Sequence, residues 1–455
     1  MTDARATVLD GLRPNLTGTI VLPGDAEYDA ARAPWNLSID QRPAAVAVPA
    51  DVADVQAILA AAAAAGLGVT TQPNGHGAAD DLEGVIVIRP SAFDELEVDV
   101  ENRVLRVGAG VNWGPVLQAL DGTGLVGLAG SNPEVNVVGL ALNGGHSLFS
   151  RRHGLTARSI LAVEFVDASG ELQRVSDVDD DVSLIWALRG GGGLFGVVTA
   201  IELALHPADT LFGGSLVYAE EAAVPVISAA FALARDEPEL GLDIGMMRFP
   251  DLPVMPPHLR GRTVASVMLV HVGDEASGSA IAERLLSVAE PITNALTTFT
   301  VGQLAAVAGE PVEPMPTADF GATIGTDDDA FAAEFVEAFL AGAEHGLMRC
   351  GLRAMGGATA DQHEAERAAV GAITAPLLLN AGVLLMNPAI DPVAALQPLR
   401  ELADRHGVVG GVPSMLGAGP LADAYPPAVL ERLAAVKRRV DPNGLIRSNR
   451  TIHAV

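Results

Sequence analysis

One cysteine, Cys350, stands among 455 residues, which excludes an intrachain disulfide and a cysteine-held metal cluster and fits a reducing compartment. Lysine is as scarce: Lys437 is the only one, so the cations are otherwise arginine. Aromatic residues make up 4% of the chain against 49% hydrophobic residues in all, so its cores must be built from Ala, Val, Leu and Gly. Positive charge is short as well, with 28 basic against 56 acidic side chains and a net charge of −28. That balance argues against nucleic acid or an anionic membrane as partner, and against long-range steering of an acidic substrate; it is also an ordinary route to solubility. Long apolar runs are missing. The alanine tract after Asp54 is too short and too weakly hydrophobic to span a bilayer, and Met1 to Asp25 lacks the basic, apolar and small-residue succession of a signal peptide. The expectation is a soluble, cytoplasmic protein with no metal centre.

What is present is a chain too long for one hydrophobic core, with apolar material for two. Ala44–Val48 reads as a strand, and Asp51 caps a helix with Val52, Val55, Ile58, Leu59 and Ala62 on one face and Gly66 at its end. Leu67–Thr71, Gly84–Ile88 and Val104–Val107 read as further strands, and Trp113–Leu120 as a short helix. Ile160–Val166 alternates like a strand that turns at Asp167-Ala168-Ser169-Gly170, and Gly196–Leu205 closes this region. From about Leu211 to Val412 the pattern changes: strands at Gly214–Tyr218, Val264–Val272, Arg349–Met355 and Val383–Met386 alternate with amphipathic helices, and Pro250–Pro257 reads as a loop. Tyr425–Arg439 is a last helix with Leu430, Leu433 and Val436 on one face. No repeat of 20 to 50 residues is found.

Three loops organise the first region. Gln72-Pro73-Asn74-Gly75-His76-Gly77, Leu140–Gly145 and Arg189–Gly196 each follow an apolar run, and each is dominated by backbone. Glycine permits tight bends and close approach of bare N–H groups to an anion, so these loops suit a phosphate-bearing ligand. His76 is framed by Gly75 and Gly77 and so is presented from a turn, where it is a candidate for covalent or catalytic chemistry.

The stretch Trp186-Ala187-Leu188-Arg189-Gly190-Gly191-Gly192-Gly193-Leu194-Phe195-Gly196-Val197-Val198-Thr199 resembles the signature of flavin-linked oxidases of the vanillyl-alcohol oxidase and berberine-bridge enzyme type. Ser150-Arg151-Arg152-His153-Gly154-Leu155 and Val436–Gly444 are similar to the same family, and Leu140–Gly145 resembles the bacterial 6-hydroxynicotine oxidases. The likeness runs from about Leu22 to Ile452, strongest over residues 1–206 and the tail. It implies an α+β, two-domain flavoprotein: an FAD-binding domain made of residues 1–206 and 413–455, with an inserted α+β substrate domain at 207–412. It further implies that FAD is held by Gln72, Pro73, Asn74, Gly75, His76, Gly77, Asn132, Val135, Val137, Gly139, Leu140, Asn143, Gly144, Gly145, Gly154, Gly196, Val198 and Asn449. By position His76 matches the histidine that bonds to a methyl of the flavin's benzenoid ring; a neutral imidazole nitrogen is nucleophilic, and the bonded ring withdraws electrons.

Departures from the family pattern narrow the expectation. Asn132 stands where many members carry a second, cysteine tether, so the resemblance implies a single link through His76. Gln72 replaces a common arginine, and Val135 occupies a position that gates oxygen, which favours an oxidase over a dehydrogenase. The tyrosine-rich patch that supplies a base in many relatives reads Gly411-Val412-Pro413-Ser414-Met415, and the acidic or amide position on the substrate strand is Gly351, with Arg353 kept. His146, Tyr218 and Arg353 are the candidate catalytic residues, with His271 and Cys350 as further residues of the inserted strands. The implied function is an FAD-dependent oxidase of a small alcohol or amine that uses molecular oxygen and acts as monomer or homodimer. The alternatives are a non-redox flavoprotein catalysing cyclisation or isomerisation, and a catalytically silent flavin binder.

Overall fold

The computed structural model describes residues 3–78, 82–178, 181–417 and 421–448. Among them no helix is long and apolar enough to cross a membrane. The first sheet is small, ordered Thr19–Val21, Ala45–Val48, Val85–Ile88 and Gly68–Thr71, with its last three strands parallel. Between two of these strands lies the helix Val52–Ala65. Its start is fixed by the Asp51 carboxylate, which accepts from Asp54 N, and its end by Gly66 in the left-handed region (φ 62°), as the sequence predicts. Val55, Ile58, Leu59 and Ala62 are buried beneath it against Val69, Ile86 and Ile88.

A second, wholly antiparallel sheet follows in the order Leu96–Asp99, Val104–Gly108, Val197–Ala204, Ile160–Val166 and Leu172–Ser176. The helix Trp113–Leu120 packs Trp113, Val116, Leu117 and Leu120 into its core. The C-terminal helix Pro427–Val440 returns to this region, adding Leu433 and Val436 to the same core, and Arg432 covers the Trp186 ring.

The third sheet is eight-stranded and antiparallel throughout. Its main path is Leu211–Ala219, Thr263–Val272, Gly241–Arg248, Arg349–Ala354, Leu377–Leu384 and Thr317–Ile324. The helices Ala223–Asp236, Asp329–Ala343 and Pro392–His406 bury one face of it. Two long strands of this sheet, Gly241–Arg248 and Thr317–Ile324, are missed in the sequence reading although apolar residues alternate along both, because Asp and Gly, which individually disfavour strands, occupy positions between them. The strand read at Val383–Met386 lies earlier, at Leu377–Leu384. Residues 137–142, read as the entry to a glycine loop, form a short helix that Asn136 caps by accepting from Gly139 N.

Candidate active site

The strand Gly68–Thr71 delivers the chain to Gln72, whose amide makes a reciprocal pair with that of Gln41 (3.2 and 2.8 Å). Arg89 donates to the carbonyls of Gln72 (2.7 Å) and Pro73 (3.3 Å), pinning the start of the loop. Gly75 takes φ +81°, and a Cβ there would lie 2.5 Å from Pro34 Cβ, so both the turn and the packing require glycine. The Asn74 side chain ties the loop to Asn112 Oδ1 (3.1 Å) and to the Glu134 carbonyl. His76 is half-buried and stacks on the Trp35 indole (centroids 4.4 Å, planes 17° apart). Its Nε2 is buried and has no hydrogen-bond partner among the described residues. Burial pushes the imidazole down to about 4 against the opposing pull of the Glu310 carboxylate, so at neutral pH the ring is uncharged and keeps a lone pair. Gly77 is exposed.

The other glycine loops meet one another. Asn143 donates to Gly139 O (2.8 Å), and Gly144 and Gly145 then take φ +90° and +65°. Gly192 N donates to Leu142 O (2.8 Å), and Ser414 N donates to Asn143 O (3.0 Å). The hydroxyl of Tyr425 binds Gly190 O, while Lys437 donates to Leu194 O (2.7 Å), so the C-terminal tail holds the four-glycine run in place. Asn132 bridges Glu134 N (2.8 Å) and Pro311 O (2.7 Å), and half-buried Val135 and buried Val137 flank Asn136. Leu140 packs partly buried on the core, Gly154 ends the helical turn Ser150–His153 with φ +89°, and Gly196 lies against the Phe165 ring at the head of the strand that buries Val198. Asn449 lies outside the described residues.

Opposite these loops stands the open face of the large sheet. Asp243 pairs in register with Arg353, and Gly245 and Asn380 flank Gly351 in the next row. Arg353, buried, reaches Ser131 Oγ (3.2 Å), Glu310 (3.4 Å) and Asp243 (3.6 Å), and Arg349 reaches Glu310 (3.6 Å). Burial works to raise the Glu310 carboxyl, but Arg353, Arg349 and the Ser131 hydroxyl together hold it below its ordinary range. Glu310 also accepts from Ser131 at 2.7 Å, so a carboxylate 179 positions away sits against the loop that carries Asn132. His146 is buried, its Nδ1 has no partner among the described residues, and burial, with Arg353 and Arg151, drives it well below its usual value. Arg353 Nε and Asn380 Nδ2 are likewise unpartnered.

Three candidates do not join this group. Tyr218 and Cys350 point into the helix-covered core, where burial raises the phenol to about 12 and pushes the thiol up also. His271 pairs with Ser277 Oγ (3.0 Å) beside a surface helix. Glu310, Asp243, Asn380 and Trp35 were not singled out from sequence. The available signals were slight: Glu310 follows the helix-ending Gly309, and Trp35 is one of three tryptophans, between Pro34 and Asn36.

The residues present fit FAD. The fit rests on a neutral histidine with an unpartnered ring nitrogen in a turn where Gly75 takes a positive φ, and on positive-φ glycines at 144, 145, 190 and 192 in mutually bonded loops. A separate cavity of about 560 Å³, lined by Asp121, Thr123, Asp209, Thr298 and Gln303 among others, contains none of these groups.

Residues 43–176 match the family model described as FAD binding domain. The (R)-6-hydroxynicotine oxidase of Paenarthrobacter nicotinovorans is 28% identical over 96% of this chain and 97% of that protein. The uncharacterized FAD-linked oxidoreductase YvdP of Bacillus subtilis is 30% identical over 42% of this chain and 44% of its own length. Among solved structures, 6-hydroxy-D-nicotine oxidase of Arthrobacter nicotinovorans superposes with a TM-score of 0.81 at 21% identity, covering 95% of this chain and 97% of that one. The berberine-bridge-like protein 1 of Physcomitrella patens gives 0.81 at 20% identity, covering 98% of each. The chain therefore carries an FAD binding domain, shares the two-domain fold of the vanillyl-alcohol oxidase and berberine-bridge enzyme type, and is similar along almost its whole length to (R)-6-hydroxynicotine oxidase.

Proposed function

We propose that the protein is an FAD-dependent oxidase acting on an alcohol or amine carbon of a small molecule, with a single covalent flavin link through His76. The observation that carries the reading is His76 itself: uncharged at neutral pH, framed by Gly75 and Gly77, with Nε2 unpartnered. We further infer that residues 1–206 and 413–455 form the FAD-binding unit and residues 207–412 the substrate unit. FAD, when bound, would supply the redox chemistry, a hydride acceptor for the substrate carbon and a route for the electrons to dioxygen.

The chain's own groups bind and orient. Asn74, Asn143 and the glycines at 144, 145, 190 and 192 hold the cofactor loops in register. Asp243, Glu310, Arg349 and Arg353 form a charge cluster facing those loops, and the unpartnered donors on Arg353 and Asn380 are suited to oxygen acceptors on a substrate. His146, buried and uncharged with Nδ1 unpartnered, is our assignment for a hydrogen-bond acceptor to a substrate hydroxyl or amine, since burial and the Arg353 and Arg151 charges oppose its taking up a full proton. Tyr218 is not part of this reading, because it lies on the covered face.

The test is a visible spectrum of acid-precipitated protein followed by peroxide release in the presence of candidate alcohols and amines. Flavin in the pellet, its absence in His76→Ala, and anaerobic bleaching by a substrate are the expected results. Turnover without bleaching would establish the non-redox alternative instead.

A further inference from the structure

The only aromatic contact made by His76 comes, among the described residues, from Trp35. That contact is built from both sides. Trp35 N donates to Asn74 O (2.7 Å), inside the histidine loop, and Pro34 fills the space over Gly75. On its other side Trp35 Nε1 donates to Val312 O (3.3 Å), Met315 N donates to Trp35 O (3.2 Å), and Leu37 N donates to Met315 O (3.1 Å). Buried Asn36 continues the seam by accepting from Thr317 N (3.0 Å) and donating to Thr317 O (3.1 Å). Residues 34–37 thus form a strap between the His76 loop and the 310–317 segment that carries Glu310.

We infer that Trp35 is a positioning residue for covalent flavin attachment, holding the His76 ring plane so that its unpartnered nitrogen is presented at the attachment site. The inference rests on the link to His76 proposed above. Its physical basis is that an imidazole lone pair lies in the ring plane. A stacked indole therefore covers a face, excludes water and keeps the ring uncharged, yet does not itself occupy the nucleophilic edge. Without the indole the ring could turn about its side-chain torsions and regain water, and both effects lower the fraction of rings ready to react. Attachment forms one N–C bond to a ring methyl carbon. One proton leaves the methyl and one leaves the imidazole, and the two electrons released pass through the flavin's own ring system to dioxygen as the terminal oxidant.

The test compares covalent with total flavin in purified full-length wild type and in Trp35→Ala, Trp35→Leu and Trp35→Phe. Total flavin is read in the native protein, and covalent flavin in the washed acid pellet and as fluorescence of the denatured band. The expected result is a covalent fraction near that of wild type in Trp35→Phe, which keeps a stacking ring, and a fraction at least about tenfold lower in Trp35→Ala. Trp35→Leu fills apolar volume without a ring and keeps the test valid if the alanine variant does not fold; it is expected to behave like alanine. Equal covalent fractions in Trp35→Leu and Trp35→Phe would overturn the inference, since apolar filling alone would then suffice. A wild type with no covalent flavin would overturn the underlying attachment and this inference together, whereas a covalent wild type with a covalent alanine variant would remove only the role of Trp35.

Discussion

The two faces of the large sheet are made by the same strands and behave as different materials. On the strand Arg349–Ala354, Cys350, Leu352 and Ala354 enter an apolar core, while Arg349, Gly351 and Arg353 face the cofactor loops. On Gly241–Arg248 the division repeats: Leu242, Ile244 and Met246 go to the helices, Asp243 and Gly245 to the open side. The period of two sends neighbours to opposite fates, so one position separates the inert Cys350 thiol from the Arg349 guanidinium and three separate it from the buried Arg353. Helices cover the first face with hydrocarbon. The second is covered by loops that bring Ser131, His146 and Glu310, and its charges are held by one another. What distinguishes a scaffold face from a site face here is the kind of element that covers it.

The hardest test of that contrast removes a charge from the open face. Arg353→Met leaves Asp243 and Glu310 buried with only the half-exposed Arg349 to balance them, and we expect a stability loss of about 3 kcal/mol in denaturant unfolding. Cys350→Ala, three residues earlier on the same strand but on the covered face, should cost only about 1 kcal/mol and leave flavin content unchanged. Similar losses for the two would erase the distinction.

Acid probes the buried imidazoles. His76, His153 and His206 sit near a pKa of about 4 and His146 well below its usual value, in each case chiefly through burial. The unfolded chain takes up these protons near pH 6.5 while the folded chain refuses them. Stability is therefore fully present above pH 6.5 and falls as the pH drops towards 4, by up to about 2.5 kcal/mol for each ring between pH 6.5 and 4.5. Thermal melts between pH 7 and 4.5 in one buffer series check this, and a flat Tm would show that the rings are already hydrated.

Much of the fold was legible because it is local. The Asp51 cap, the Gly66 stop and the alternation of Ile160–Val166 are each written within a few residues of where they act. The glycine loops were legible for the same reason, since a positive φ announces itself in composition. The charge cluster was not. Glu310 meets Ser131 across 179 positions and Arg353 across 43, and no local pattern encodes either contact. Trp35 likewise reaches Val312 across 277 positions. Tyr218 shows the converse failure: a tyrosine on an inserted strand looks chemical in sequence, but the parity of its strand turns it to the helices.

A change on the loop side should be felt by oxygen rather than by packing. Val135 is half-buried beside Asn136, and we propose it as the gate to oxygen. Val135→Leu adds one methylene there, and we expect reoxidation of the photoreduced protein to slow at least about tenfold, equivalent to about 1.4 kcal/mol of barrier. Flavin content should stay constant. Stopped-flow absorbance decides it without knowledge of the substrate, and equal rates would remove Val135 from the oxygen path.

The smallest effect is expected where the sequence suggested chemistry and the fold supplies none. Tyr218 is fully buried on the covered face, and its hydroxyl has no hydrogen-bond partner among the described residues. A buried hydroxyl without a partner has lost water and gained nothing in return, so deleting it removes a desolvation cost while the ring keeps its contacts. Tyr218→Phe should therefore change stability by no more than about 0.5 kcal/mol, or raise it, and should leave kcat and KM for any substrate found unaltered. The phenol, raised to about 12 by burial, also cannot serve as a base near neutral pH. If Tyr218→Phe abolished turnover with flavin content and Tm intact, the covered face would have to be counted as part of the site, and the parity argument that separates the two faces would fail at the residue where it is simplest to check.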